Sequence, residues 1–100
     1  VLPRERPGSK HVYHLYVVEH PQRDDLAKYL VEQGVYCGIH YPTAVHEQAP
    51  FARSRTVPSG APVAVERSRR MLSLPLYPGI RREQVERVSE GVHTWLGARV

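Results

Sequence analysis

With a single cysteine, Cys37, the 100-residue chain cannot close an internal disulfide, which fits a reducing compartment. Apolar runs are all far shorter than the roughly 20 residues a membrane span needs, and no basic segment followed by an apolar stretch opens the chain. The expectation is a soluble, cytoplasmic protein with no membrane partner. Gly-x-Gly-x-x-Gly and Walker loops are missing, so no phosphate cradle of either kind is encoded. Gly-x-Ser-x-Gly is missing too, which removes the nucleophile elbow of a serine hydrolase. Lysine is scarce: Lys10 and Lys28 stand against twelve arginines.

What is present suits one small domain. Hydrophobic residues make up 41% of the chain, and a chain of this size buries roughly two-thirds of its unfolded surface. The formal charge is +4, but Glu66, Glu83, Glu86 and Glu90 interrupt the arginines at 67, 69, 70, 81 and 82. That pattern reads as a salt-laced solvent face and not as a nucleic-acid reader. Six histidines invite a metal reading. His11 and His14 lie three apart on an expected strand and point to opposite faces, and no cysteine or acidic cluster stands near His40 and His46 at zinc-like spacing. No metal site is expected. Cys37 and His40 diverge for the same reason, which leaves Cys37 a structural thiol.

Along the chain, residues 1–10 are polar, carry Pro3, Pro7 and Gly8, and read as a linker or domain-entry segment. Residues 11–97 form the domain itself. His11 to Glu19 reads as a strand apolar on both faces. Asp24 to Gln33 reads as a helix with Leu26 and Leu30 on one side, Lys28 paired with Asp24 or Glu32, and Gly34 as its stop. Val35 to Tyr41 reads as a second strand. Thr43 to Gly60 is a long loop with a turn of helix near Glu47 to Arg53. Ala61 to Met71 reads as a helix in which Glu66 pairs with Arg70, and Leu72 to Leu76 as a short strand broken by Pro75. Ile80 to Leu96 is the clearest helix, with Val85, Val88, Val92 and Trp95 or Leu96 as its apolar stripe. The economical arrangement is an α+β two-layer domain: a short, mainly antiparallel sheet of about three strands with helices on one face.

Three segments carry a further signal in their order and spacing. They are Gly38-Ile39-His40-Tyr41-Pro42, His46-Glu47-Gln48, and Leu72-Ser73-Leu74-Pro75-Leu76-Tyr77-Pro78. Together with the opening strand and the amphipathic helices, they resemble the C-terminal small domain of the DegT/DnrJ/StrS family of nucleotide-sugar aminotransferases. The resemblance implies the small-domain fold of fold-type I aminotransferases and a pyridoxal-phosphate enzyme that aminates a nucleotide-linked keto sugar. It implies as partners a large cofactor-binding domain, a nucleotide-sugar substrate, an amino-acid donor and a second subunit of a homodimer. It also implies that His40, Tyr41 and His46 lie toward the sugar and cofactor pocket. Neither lysine has the neighbours of the family's cofactor lysine, so the chain alone is expected to bind no cofactor and to supply no catalytic residue. The alternative is a stand-alone, non-catalytic module of the same fold that binds a sugar nucleotide or another protein. The chain opens on valine and reads as a piece of a longer polypeptide.

Overall fold

The computed structural model describes residues 1–98. Its elements are β1 (Tyr16–Glu19), α1 (Arg23–Glu32), two 3-10 turns (Val45–Glu47 and Ala49–Phe51), α2 (Pro62–Ser68), β2 (Met71–Leu74) and α3 (Arg82–Gly97). β1 and β2 pair antiparallel, with Tyr16 opposite Leu74 and Val18 opposite Leu72. These four side chains point to one face and meet α1 and α3 there. Val18, Leu26, Leu30, Val35, Leu72 and Trp95 form the buried core, with Val88 and Val92 packed against it. The α+β class, the two layers and the antiparallel pairing are as the sequence implies.

The strand count is not. Two strands form in place of about three, and the segment Val35 to Tyr41 contributes one isolated bridge, Gly38 to Ser73. Both backbone bonds of that bridge are good, at 2.7 and 2.9 Å. The ladder stops on each side for a chemical reason. Two residues toward the N-terminus, Tyr36 would have to pair with Pro75, which has no N–H to give. Two residues toward the C-terminus, His40 would need Met71, but the Met71 carbonyl is taken by Arg23 Nη1 at 2.7 Å. β1 is short because Tyr13 leaves the extended region with φ 47°, its N–H bonded to His11 Nδ1 at 2.7 Å. The outer edge of β1 is closed at Glu19, whose N–H and C=O both bond to Val1.

α1 ends as its sequence prescribes. Gly34 takes φ 75°, its N–H bonds to Val31 O, and Val35 N–H bonds to Leu30 O at 2.8 Å. This is a Schellman closure, and its hydrophobic pair, Leu30 with Val35, is part of the core. Arg87 of α3 donates to Gln33 O at 2.8 Å and ties the two helices at that end. A Cβ on Gly91 would stand 3.0 Å from Leu30 Cδ2, so the glycine lets α3 approach α1 closely. The expected Glu66 to Arg70 pair forms at 2.9 Å. The expected Lys28 pair does not. Asp24 instead holds Arg23 Nε at 2.6 Å, and Lys28 has no ion-pair partner among the described residues. The α3 stripe begins one turn later than expected: Val88, Val92 and Trp95 face the core, while Val85 is 50% exposed.

Candidate substrate-facing site

Alternation along β2 sends Leu72 and Leu74 into the core and Ser73 to the other face. The segment 35–39 alternates in step. Val35, Cys37 and Ile39 pack toward the core, and Tyr36 stands 76% exposed. Cys37 and His40 therefore diverge, as strand geometry requires. Burial pushes the Cys37 thiol from an ordinary 9.0 up to about 11. Its value in the folded chain lies above that in the unfolded chain, so the stability it contributes is full below pH 9.0 and is lost as pH rises toward about 11. Two outcomes are expected: slow alkylation of Cys37 by iodoacetamide at pH 8, and a fall in stability over that window that Cys37→Ala reduces. Rapid alkylation of the folded chain at pH 8 would contradict the assignment.

His40 is built into this face. Its Nδ1 lies 2.9 Å from Ser73 Oγ, and its ring folds back over Gly38. A Cβ on Gly38 would sit 2.5 Å from His40 Cε1, which explains why glycine precedes the histidine by two positions. The peptide bond from His40 to Tyr41 is cis. Tyr41 is 70% exposed and sets its ring edge-on to the imidazole, with centroids 5.6 Å apart. His46 lies half-buried in the first 3-10 turn, with no hydrogen-bond partner among the described residues. The same turn is anchored from outside, as Arg69 reaches Glu47 at 3.6 Å.

Of the three residues singled out in the sequence, the structure sets the rings of His40 and Tyr41 edge-on, and among the described residues no ring contact or hydrogen bond joins His46 to either. Ser73 and Gly38 complete the arrangement. Ser73 carries no role on sequence grounds, although a lone polar residue between two core leucines is the signal that could have found it.

The remaining groups offer little else. Lys10 and Lys28 are exposed, and neither is enclosed as a lysine bound to pyridoxal phosphate must be. Lys28 lies in a shallow, open depression between α1 and α3 that Asp25 and Glu32 also line. The residues present therefore do not fit that cofactor. No group of three or more His, Cys, Asp or Glu side chains is placed to hold a metal ion among the described residues. No helix among them is long and apolar enough to cross a membrane.

Comparison with known proteins supplies the context. The dTDP-3-amino-3,4,6-trideoxy-alpha-D-glucose transaminase of Micromonospora megalomicea subsp. nigra is 35% identical over 92 residues, which is 91% of this chain and 25% of that enzyme. A pleiotropic regulatory protein of Geobacillus stearothermophilus is 36% identical over 92 residues, 92% of this chain and 25% of its own length. Among solved structures, S. venezuelae DesV in complex with a ketimine intermediate superposes with a TM-score of 0.88 at 34% identity, over 94% of this chain and 25% of DesV. A DegT DnrJ EryC1 StrS aminotransferase from Brucella abortus gives 0.87 at 25% identity, with the same coverage. The chain thus spans about a quarter of the length of these relatives. Residues 1–93 match the DegT/DnrJ/EryC1/StrS aminotransferase family across almost the whole fold just described, and the chain belongs to that family.

Proposed function

We propose that this chain is the C-terminal small domain of a pyridoxal-phosphate-dependent aminotransferase acting on a nucleotide-linked keto sugar, and that it closes the active site over the sugar. Residues 1–10 are the linker from the large domain and residues 11–97 the small domain. The complete enzyme is a cytoplasmic homodimer that takes its amino group from an amino-acid donor. The large domain holds the cofactor, because neither Lys10 nor Lys28 fits it. The relatives named as dTDP-amino-sugar transaminases support the substrate class. One observation carries the local reading: His40 is held at a fixed position on the face away from α1 and α3, beside an exposed tyrosine. Imidazole at such an edge can donate to or accept from a sugar hydroxyl or a donor carboxylate. Tyr41 and His46 lie on the same substrate side.

The division of labour is testable on the chain as it stands. Mixed with pyridoxal phosphate and dialysed, the 100-residue chain is expected to retain no more cofactor absorbance than an unrelated protein with two exposed lysines. The complete enzyme is expected to retain it and to lose the band when an amino-acid donor is added. A dialysis-stable band on the short chain that disappears in Lys10→Ala or Lys28→Ala would overturn the assignment.

A further inference from the structure

We propose that Ser73 is a positioning residue that fixes His40 as a hydrogen-bond donor, with the ring proton on Nε2 and an oxygen acceptor of the substrate as its target. The inference deepens the reading of His40 as a substrate-side residue and rests on it. Ser73 is 4% exposed, and its backbone N–H and C=O are both used by Gly38. Among the described residues its hydroxyl has one partner, His40 Nδ1 at 2.9 Å. A hydroxyl carries one proton, and a buried donor left without an acceptor bears its full desolvation penalty, whereas an oxygen lone pair left over costs less. The Ser73 O–H therefore donates to Nδ1. Nδ1 can accept only when unprotonated, so in the neutral ring the proton resides on Nε2. The opposite arrangement, Nδ1–H donating to Ser73, would leave the buried hydroxyl proton with nowhere to go.

The rest of the site holds the ring in that orientation. Gly38 forms its floor, since a Cβ there would meet Cε1 at 2.5 Å, Nδ1 at 3.2 Å and Nε2 at 3.3 Å. Tyr41 sets an edge against it at an interplanar angle of 82°. Nε2 is the one ring nitrogen without a partner among the described residues. A fixed N–H of this kind suits an oxygen that accepts: a sugar hydroxyl oxygen or a carboxylate oxygen of the amino donor. It does not suit a group that must give up a proton to the neutral ring at that atom.

Long-range ¹H–¹⁵N NMR of the 100-residue chain at pH 8, with His40 assigned by difference against His40→Gln, reads the tautomer directly. The expected spectrum has His40 Nδ1 unprotonated and Nε2 protonated. Ser73→Ala is expected to give a mixture of the two tautomers, as is Gly38→Ala, which displaces the ring while leaving the serine in place. Ser73→Thr keeps a hydroxyl and is expected to keep the wild-type pattern. A protonated Nδ1 in the wild-type chain overturns the proposal even if no variant folds, and so does an unchanged tautomer in folded Ser73→Ala. In the complete enzyme Ser73→Ala is expected to lower kcat/KM by about threefold or more. Measuring the two half-reactions separately tells which oxygen is involved: a loss confined to the sugar half-reaction points to the hydroxyl, and one confined to the donor half-reaction to the carboxylate. An Nε2–H tautomer in a protein whose His40→Ala variant has unchanged kcat/KM would leave the positioning of the ring by Ser73 standing and overturn both the substrate oxygen as its target and the substrate-side reading.

Discussion

Trp95→Ala is expected to destabilise the chain by about 3–5 kcal/mol, the usual loss for truncating a large buried aromatic. Trp95 is 5% exposed in the last turn of α3, packs into the single core and meets His20 edge-on with centroids 5.0 Å apart. No second core among the described residues can compensate. Domains of this size are stable by only about 5–15 kcal/mol, so much of the margin is lost. A loss at the middle of that range shifts the thermal midpoint by about 20 °C, at roughly 4–8 °C per kcal/mol. Val85→Ala, ten residues earlier on the same helix, is the control. Half-exposed Val85 lies outside the core cluster, and its truncation is expected to change stability by no more than about 0.5 kcal/mol. Urea titrations followed by circular dichroism separate the two. A Trp95→Ala loss below about 1 kcal/mol would show that α3 is not packed as described.

His40→Ala in the complete enzyme is expected to lower kcat/KM by roughly tenfold or more, a loss of about 1.4 kcal/mol in transition-state stabilisation. Cofactor absorbance is expected to stay nearly unchanged, and stability to fall by no more than about 1–3 kcal/mol, the cost of leaving the buried Ser73 hydroxyl without its acceptor. His40 is exposed and contributes one side-chain hydrogen bond, to Ser73, so its removal leaves the core intact. The converse pattern, reduced stability with full activity of the folded fraction, would make His40 a structural residue.

Local chemistry was the most readable part of the sequence. Gly34 marked the end of α1 because only glycine takes the required φ without penalty, and the i,i+4 spacing of Glu66 and Arg70 was enough to place their ion pair. Long-range competition was not readable. The third strand fails because Pro75 lies across from Tyr36 and because Arg23, distant in sequence, takes the Met71 carbonyl. Neither fact is local to Val35 to Tyr41. Spacing alone offers Lys28 both Asp24 and Glu32, but the adjacent Arg23, held by the Ser68 and Met71 carbonyls, takes the Asp24 carboxylate, and among the described residues no ion pair joins Lys28 to Glu32. The α3 stripe was right in period and off by one turn at its start, because Val85 lies outside the core that Val88 joins. At the site, the motif pointed to His40 and Tyr41, but Ser73 looked like one more residue of an apolar strand. Its role appears only when Gly38 pairs with it and brings His40 within 2.9 Å of its hydroxyl.

The central claim is that the face carrying His40 closes over a nucleotide-linked sugar. A crystal structure of the complete enzyme with its cofactor and a bound nucleotide sugar tests it most directly. The expected result is His40 Nε2 within hydrogen-bond distance of an oxygen of the substrate, Nδ1 still on Ser73, and the cofactor attached to a lysine outside these 100 residues. A sugar bound well away from His40 and Tyr41, with this face open to solvent, would contradict the account.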